Sequence, residues 1–160
     1  MNSTSFTHAG DIEISDDNKI FVDLAGVDTS RKPVKRIELI CDTGAFITII
    51  GKERAEASGY PIIESKGCII SGFSEKGLIC DLRKISCAIF CGFEIKDVII
   101  ATPHENGVRI SEVLGMNVLE NFNFGFNLTE KKIYLNKRES FESFKPKYKC
   151  GEINIFIEGE

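Results

Sequence analysis

Asp42-Thr43-Gly44-Ala45 follows the apolar run Ile37-Glu38-Leu39-Ile40-Cys41 and precedes Phe46-Ile47-Thr48-Ile49-Ile50. Both runs have strand length and are rich in isoleucine, so a lone carboxylate is expected in a tight turn between two buried strands rather than in a solvated surface turn. Burying a carboxylate costs several kcal/mol unless it is hydrogen-bonded or paired. A glycine two residues later suits a backbone conformation that other residues resist. A carboxylate held in this way is placed for chemistry.

Other chemistries have less support. Only His8 and His104 could act as a base for a Ser or Cys nucleophile. His104 stands beside Pro103 in a stretch that reads as an exposed turn, and no Gly-x-Ser-x-Gly elbow occurs. Gly107 and Gly115 lack the glycine and lysine spacing of a phosphate-binding loop. The six cysteines, at 41, 68, 80, 87, 91 and 150, contain no Cys-x-x-Cys pair. Four of them lie in apolar strand-like runs and read as reduced, buried thiols rather than disulfides. Cys87 and Cys91 face the same way on one strand but lack partners for zinc, so neither a metal nor a cofactor is expected. Asn127-Leu128-Thr129 and Asn2-Ser3-Thr4 match the glycosylation pattern, which carries little meaning without a secretory signal.

The elements that must position Asp42 are mostly strands. Ile20 to Leu24 is the first clear one, Lys35 to Cys41 and Ile47 to Ile50 flank the aspartate, and a short helix is expected from Lys52 to Ser58, ended by Gly59 and Pro61. Gly67 to Ile79 reads as two strands around a polar, glycine-containing tip. Leu78 to Phe90 and Phe93 to Ala101 form long strands meeting at Cys91-Gly92, and Thr102 to Gly107 is a turn-rich loop. Three regions follow: a polar N-terminal segment over 1–18, a domain over 19–136, and a C-terminal extension over 137–160. The extension is a charged linker or surface helix followed by a candidate edge strand at 153–157.

With the turn and its strands in place, the chain resembles the retropepsin family, the single-domain aspartic peptidases of retroviruses, retroelements and some bacteria. A second stretch supports the resemblance: Glu112-Val113-Leu114-Gly115-Met116-Asn117-Val118-Leu119-Glu120-Asn121-Phe122 is similar to the family's second signature, apolar residues and a glycine followed by a short helix. Phe124 to Leu135 is similar to the closing hairpin of many bacterial members. The resemblance spans roughly Ile20 to Asn136. It implies an all-β fold, a retropepsin-like closed β-barrel with a flap hairpin and one short C-terminal helix, active as a two-fold homodimer.

The resemblance also implies the roles of individual residues. Asp42 is the catalytic acid and base, Thr43 hydrogen-bonds across the dimer, and Gly44 offers its carbonyl to the substrate. Ala45 keeps the wall small beside a bound peptide, and Phe46, Ser71, Gly72, Phe73, Ser74 and Ile99 are candidates for substrate binding. Ile49, Ile50 and Ile69 are further candidates for apolar subsites, and plain core is the competing role for each such isoleucine. Gly72 and Gly77 permit the positive φ of a mobile flap turn, an ordinary hairpin being the alternative. Aspartic-peptidase chemistry needs two carboxylates, and this chain offers one Asp-Thr-Gly and no internal repeat. The second Asp42 must then come from a second copy across a two-fold axis. Many retroviral members place an aspartate after the Asp-Thr-Gly-Ala turn and an arginine after the second glycine, and the two form an ion pair. Here Phe46 and Met116 stand in those places, so neither charge is left without its partner.

Composition bounds the rest. The chain has 160 residues, 42% hydrophobic and 28% charged, enough to bury about 70% of its unfolded surface in one core. A net charge of −4 with both signs interspersed leaves no footprint for nucleic acid. No apolar stretch reaches the roughly 20 residues of a membrane span, and the start has no basic region or apolar core of a leader, so no membrane contact and a cytoplasmic location are expected. The expected function is an aspartic endopeptidase acting on extended, mostly apolar peptide segments. The alternative is a retropepsin-like dimeric peptide-binding or scaffold module with little or no hydrolysis.

Overall fold

Alternating apolar and polar side chains, with β-branched residues concentrated between glycine and proline turns, make most of this chain strand. The computed structural model describes residues 6–27, 33–72, 74–138, 148–150 and 153–155. In chain order the elements are β1 (His8–Asp11), β2 (Glu13–Ile14), β3 (Ile20–Val27), β4 (Pro33–Cys41), β5 (Thr48–Ile49), α1 (Lys52–Ala57), β6 (Ile62–Ile70), β7 (Leu78–Phe90) and β8 (Phe93–Pro103). Then follow β9 (Val113–Leu114), α2 (Met116–Leu119), β10 (Phe122–Asn127), β11 (Lys132–Lys137), β12 (Tyr148–Cys150) and β13 (Ile153–Ile155).

Six strands close on themselves. β3 pairs with β4, β4 with β9, β9 with β5, β5 with β8, β8 with β7, and β7 returns to β3 through Ala25↔Ile89 and Gly26↔Ala88. This is the closed β-barrel expected from the sequence. Closure pairs the strand edges that would otherwise be left open. β2 and β6 extend outward from β3 and β7, and β1, β11 and β10 form a separate antiparallel sheet. Among the described residues, no helix is long and apolar enough to cross a membrane.

The inward-facing residues of these strands form the core. Leu24, Ile37, Leu39, Ile50, Phe90, Ile100, Leu114, Leu119, Ile133 and Leu135 are fully buried in one cluster. Phe122 joins Phe90 and Phe93 there, with ring centroids 5.6 and 4.9 Å away. A smaller cluster of Ile49, Cys80, Ala101 and Val113 lies beneath the Asp42 face of the barrel. Truncating one of the large side chains to alanine would cost about 2–5 kcal/mol.

Several boundaries differ from the sequence expectation. Residues 8–14, expected in a polar segment, supply β1 and β2; β1 pairs with β11, and Ile12 is buried. The apolar signal there is only four residues long, and the pairing partner lies more than 100 residues away in sequence. β6 starts at Ile62 rather than near Gly67, because Ile62 to Lys66 are exposed on an edge strand where the apolar alternation fades. β8 continues through Thr102 and Pro103, a proline at a strand end where a missing N–H is tolerated. Tyr148 and Lys149, expected in a linker or surface helix, belong to β12, which pairs with β13 as a two-stranded sheet of its own. Residues 156–157 of the expected edge strand lie outside the described residues.

Candidate active site

β9 enters between β4 and β5, parallel to the first and antiparallel to the second. Two loops thereby meet, the one carrying Asp42 and the one carrying Gly115. The Ile40 N–H donates to the Glu112 carbonyl and the Asp42 N–H to the Leu114 carbonyl, both at 3.0 Å. Within the turn, the Ala45 N–H donates to the Asp42 carbonyl at 3.2 Å and the Gly44 N–H to Asp42 Oδ1 at 2.9 Å. The turn thus aims one amide at the carboxylate and fixes its rotamer. Burial is less than the sequence suggested: Asp42 is half-buried, and Thr43 and Gly44 are exposed at the apex. The flanking strands face the core, but the turn projects beyond it.

Three polar side chains that the sequence reading did not single out lock the loops together. The Thr48 hydroxyl donates to Asn117 Oδ1 at 2.9 Å and accepts the Gly115 N–H at 3.1 Å. Asn117 Oδ1 also accepts the Thr48 N–H at 2.8 Å, and Asn117 Nδ2 donates to the Ile99 carbonyl at 2.6 Å. Glu112 accepts the Gly51 N–H at 2.9 Å and pairs with Arg54 at 3.0 Å. Backbone bonds complete the clasp, from Met116 N–H to the Ala45 carbonyl at 2.8 Å and from Asn117 N–H to the Phe46 carbonyl at 3.2 Å. The two loops are thus joined by backbone amides, the Thr48 hydroxyl and the Asn117 side chain. Gly115 is required by the crossing itself, since a Cβ there would stand 2.5 Å from the Ile47 carbonyl carbon.

A cleft of about 610 Å³ opens beside Asp42. Of the residues expected at the site, Asp42, Gly44, Ala45, Phe46 and Ser71 line it, as do Ile49 and Ile69. Thr43, Gly72, Ser74 and Ile99 do not line it, and Phe73 falls outside the described residues. Gly72 and Ser74 sit exposed at the hairpin tip, Ile99 reaches the site only through its carbonyl, and Ile50 is fully buried core. Ile47, Cys68, Ile70, Leu82, Ser111 and Val113 complete the wall. Cys68, Ile69 and Ile70 form a continuous apolar run in the sequence, and all three line the cleft. Phe46 is 88% exposed and Ile69 66%, so the cleft rim is apolar and open to solvent.

The hairpin of β6 and β7 forms one side of this cleft. Its tip is closed by the Gly77 N–H donating to the Ser74 carbonyl at 3.1 Å, with Gly72 at φ +99° and Gly77 at φ +75°. Its root is anchored on buried Asp81, whose carboxylate accepts the Lys66 N–H and pairs with His104 Nδ1, each at 2.8 Å. Burial pushes the Asp81 carboxyl upward, but the Lys66 amide, His104 and Ser65 outweigh it and hold the group below its ordinary value. Near the site, burial, helped by the Asp42 charge, pushes the Cys41 thiol up to about 11, and burial pushes the Cys80 thiol up to about 12.

No family model matches the chain, and no curated protein matches it in sequence. Among solved structures it is similar to a retropepsin-like aspartic protease from Rickettsia conorii, with a TM-score of 0.57 and 20% identity over 84% of this chain and 96% of that one. EIAV protease complexed with the inhibitor HBY-793 gives a TM-score of 0.49 and 13% identity, over 68% of this chain and 91% of that one. The retroviral protease-like domain of Ddi1 from Leishmania major gives 0.44 and 11%, over 74% and 93%. The closed six-stranded barrel and its likeness to the Rickettsia structure establish that this chain has the retropepsin-like fold.

Proposed function

We propose that the protein is an aspartic endopeptidase that works as a two-fold homodimer. The observation that carries this reading is the half-buried Asp42 carboxylate, held by the Gly44 amide at the edge of an apolar cleft in a retropepsin-like barrel. The exposed Thr43-Gly44 apex beside it supports an axis passing between two such loops.

The chemistry follows from apposing two identical carboxylates. Like charges a few ångström apart resist joint ionisation, so the pair shares one proton, and its titration belongs to both groups together. The ionised Asp42 takes a proton from a water lying between them, and the water oxygen attacks the scissile carbonyl. The protonated Asp42 hydrogen-bonds the developing oxyanion, and a proton then passes to the leaving nitrogen. Substrate lies as an extended strand along the cleft, its backbone near Gly44 and Ser71 and its apolar side chains against Phe46, Ile49 and Ile69. In this reading the β6–β7 hairpin is the flap that covers it, with Gly72 and Ser74 at its tip.

The test is cleavage of a diverse peptide mixture by the protein and by Asp42→Asn, read by mass spectrometry between about pH 4 and 7, where a shared-proton pair can act. Cuts that fall by at least ~10²-fold in the variant support the peptidase. A folded, dimeric protein that makes no cuts but retains peptides would favour a binding module instead.

A further inference from the structure

Two cysteines face each other at the cleft. Cys68 of β6 and Cys80 of β7 are direct partners in antiparallel register, followed toward the tip by Ile69↔Ile79 and Ile70↔Leu78. Both side chains belong to one apolar cluster, Cys80 buried in it and Cys68 packed against it. Opposed Cα atoms in an antiparallel pair are roughly 4.5–5.5 Å apart, inside the range of roughly 4.4–6.8 Å over which a disulfide closes. Accessibility is unequal: Cys68 is partly exposed on the cleft wall, whereas Cys80 is fully buried beneath it.

The local backbone can accommodate the bond. Opposed Cβ atoms start about 4.5–5.5 Å apart, and a disulfide draws them to about 3.5–4.5 Å. Among the described residues β6 is an edge strand that pairs only with β7, and its register breaks between Ile62 and Glu64 and again between Glu64 and Cys68. The segment from Cys68 to Ile70 can therefore shift toward β7 without carrying the rest of β6 with it.

We propose that Cys68 and Cys80 form a reversible cross-strand disulfide by exchange with a low-molecular-weight disulfide such as oxidised glutathione, pinning the cleft-lining half of β6 to β7. The Cys68 thiol loses its proton to solvent and its sulfur attacks one glutathione sulfur, breaking that S–S bond and releasing one glutathione thiolate. Cys80, losing its own proton, attacks the Cys68 sulfur, so that the Cys68–Cys80 bond forms and the second glutathione thiolate leaves. Both thiolates take up protons, and the protein loses two electrons while glutathione disulfide gains them. Burial raises both thiols above their ordinary values, so the exchange quickens toward alkaline pH, and draws on proximity rather than on thiolate abundance. This inference stands on the register and the shared cluster, independently of the peptidase reading.

The test is incubation of the folded full chain with oxidised glutathione at several pH values. Free thiols are then blocked, the chain is digested without reduction, and the peptides are read by mass spectrometry, with Cys68→Ser as the comparison. The expected result is a linked peptide pair joining Cys68 to Cys80, absent from the variant and abolished by dithiothreitol. Slower amide exchange over 68–70 in the oxidised protein is also expected. A link between other cysteines, a stable glutathione adduct on Cys68, two freely blocked thiols, or an unchanged link count in Cys68→Ser would each overturn the proposal.

Discussion

Thr48 and Asn117, 69 residues apart in sequence, bond side chain to side chain at 2.9 Å and tie the two loops of the site into one unit. Asn117 also holds the Thr48 amide and the Ile99 carbonyl. Asn117→Ala would take the acceptor from the buried Thr48 hydroxyl and from the Thr48 amide, and one donor from the Ile99 carbonyl. A loss of about 2–4 kcal/mol is expected, since each unsatisfied group costs about 1–3 kcal/mol in isolation. Urea denaturation measures it, and Asn117→Asp, which keeps the acceptors but loses the donor to Ile99, should fall between the alanine variant and the native protein.

Gly115 tests the loop crossing in a different way. Any side chain there meets the backbone of Ile47 and Thr48, with Cβ contacts of 2.5 to 2.9 Å. Backbone cannot swing aside as a side-chain terminus can. Gly115→Ala is expected to destabilise by about 3 kcal/mol, against a milder Gly125→Ala control in β10, where an added Cβ meets nothing nearer than 3.9 Å. A thermal midpoint equal to the native value would contradict the crossing geometry.

Asp81 links stability to acid. Its folded-state pKa lies below the ordinary carboxylate value, so its contribution is complete above the unfolded value of roughly 3.9. That contribution is lost as pH falls through the lower folded value. The stability gap between the native protein and Asp81→Asn should be widest near neutrality and narrow below about pH 4. Chemical denaturation at a series of pH values checks this, and a gap that widened toward acid would reverse the assignment.

On the homodimer reading two Asp42 side chains would repel one another, so Asp42→Asn is expected to dimerise at least as tightly as the native chain, by sedimentation at matched concentration. A weaker dimer would mean that the two carboxylates do not approach one another.

Phe46, 88% exposed beside Asp42, contributes little to the fold of one chain. Phe46→Ala should leave unfolding free energy within about 0.5 kcal/mol. On the peptidase reading it should raise KM for peptides apolar around the cut more than it lowers kcat. Equal losses for apolar and polar peptides would remove Phe46 from the substrate contacts.

What the sequence determined by itself was local. Asp42-Thr43-Gly44 between two isoleucine-rich runs, a glycine before a short apolar helix, and the strand pairs around glycine turns follow from patterns read over a few residues. They gave one aspartate turn per chain, and the closed barrel came only through the family resemblance that these motifs carry. Tertiary structure decided what depends on residues far apart in the chain: β9 between β4 and β5, the Thr48–Asn117 clasp, and the β1–β11 pairing that draws residues 8–14 into the fold. It also decided which side chains reach the cleft. The breaks in β6 shift its register, and a one-residue shift moves a side chain to the other face of a strand. Thus the facing of Cys68 and Cys80 across the hairpin could not be read from spacing, whereas the position of Asp42 could.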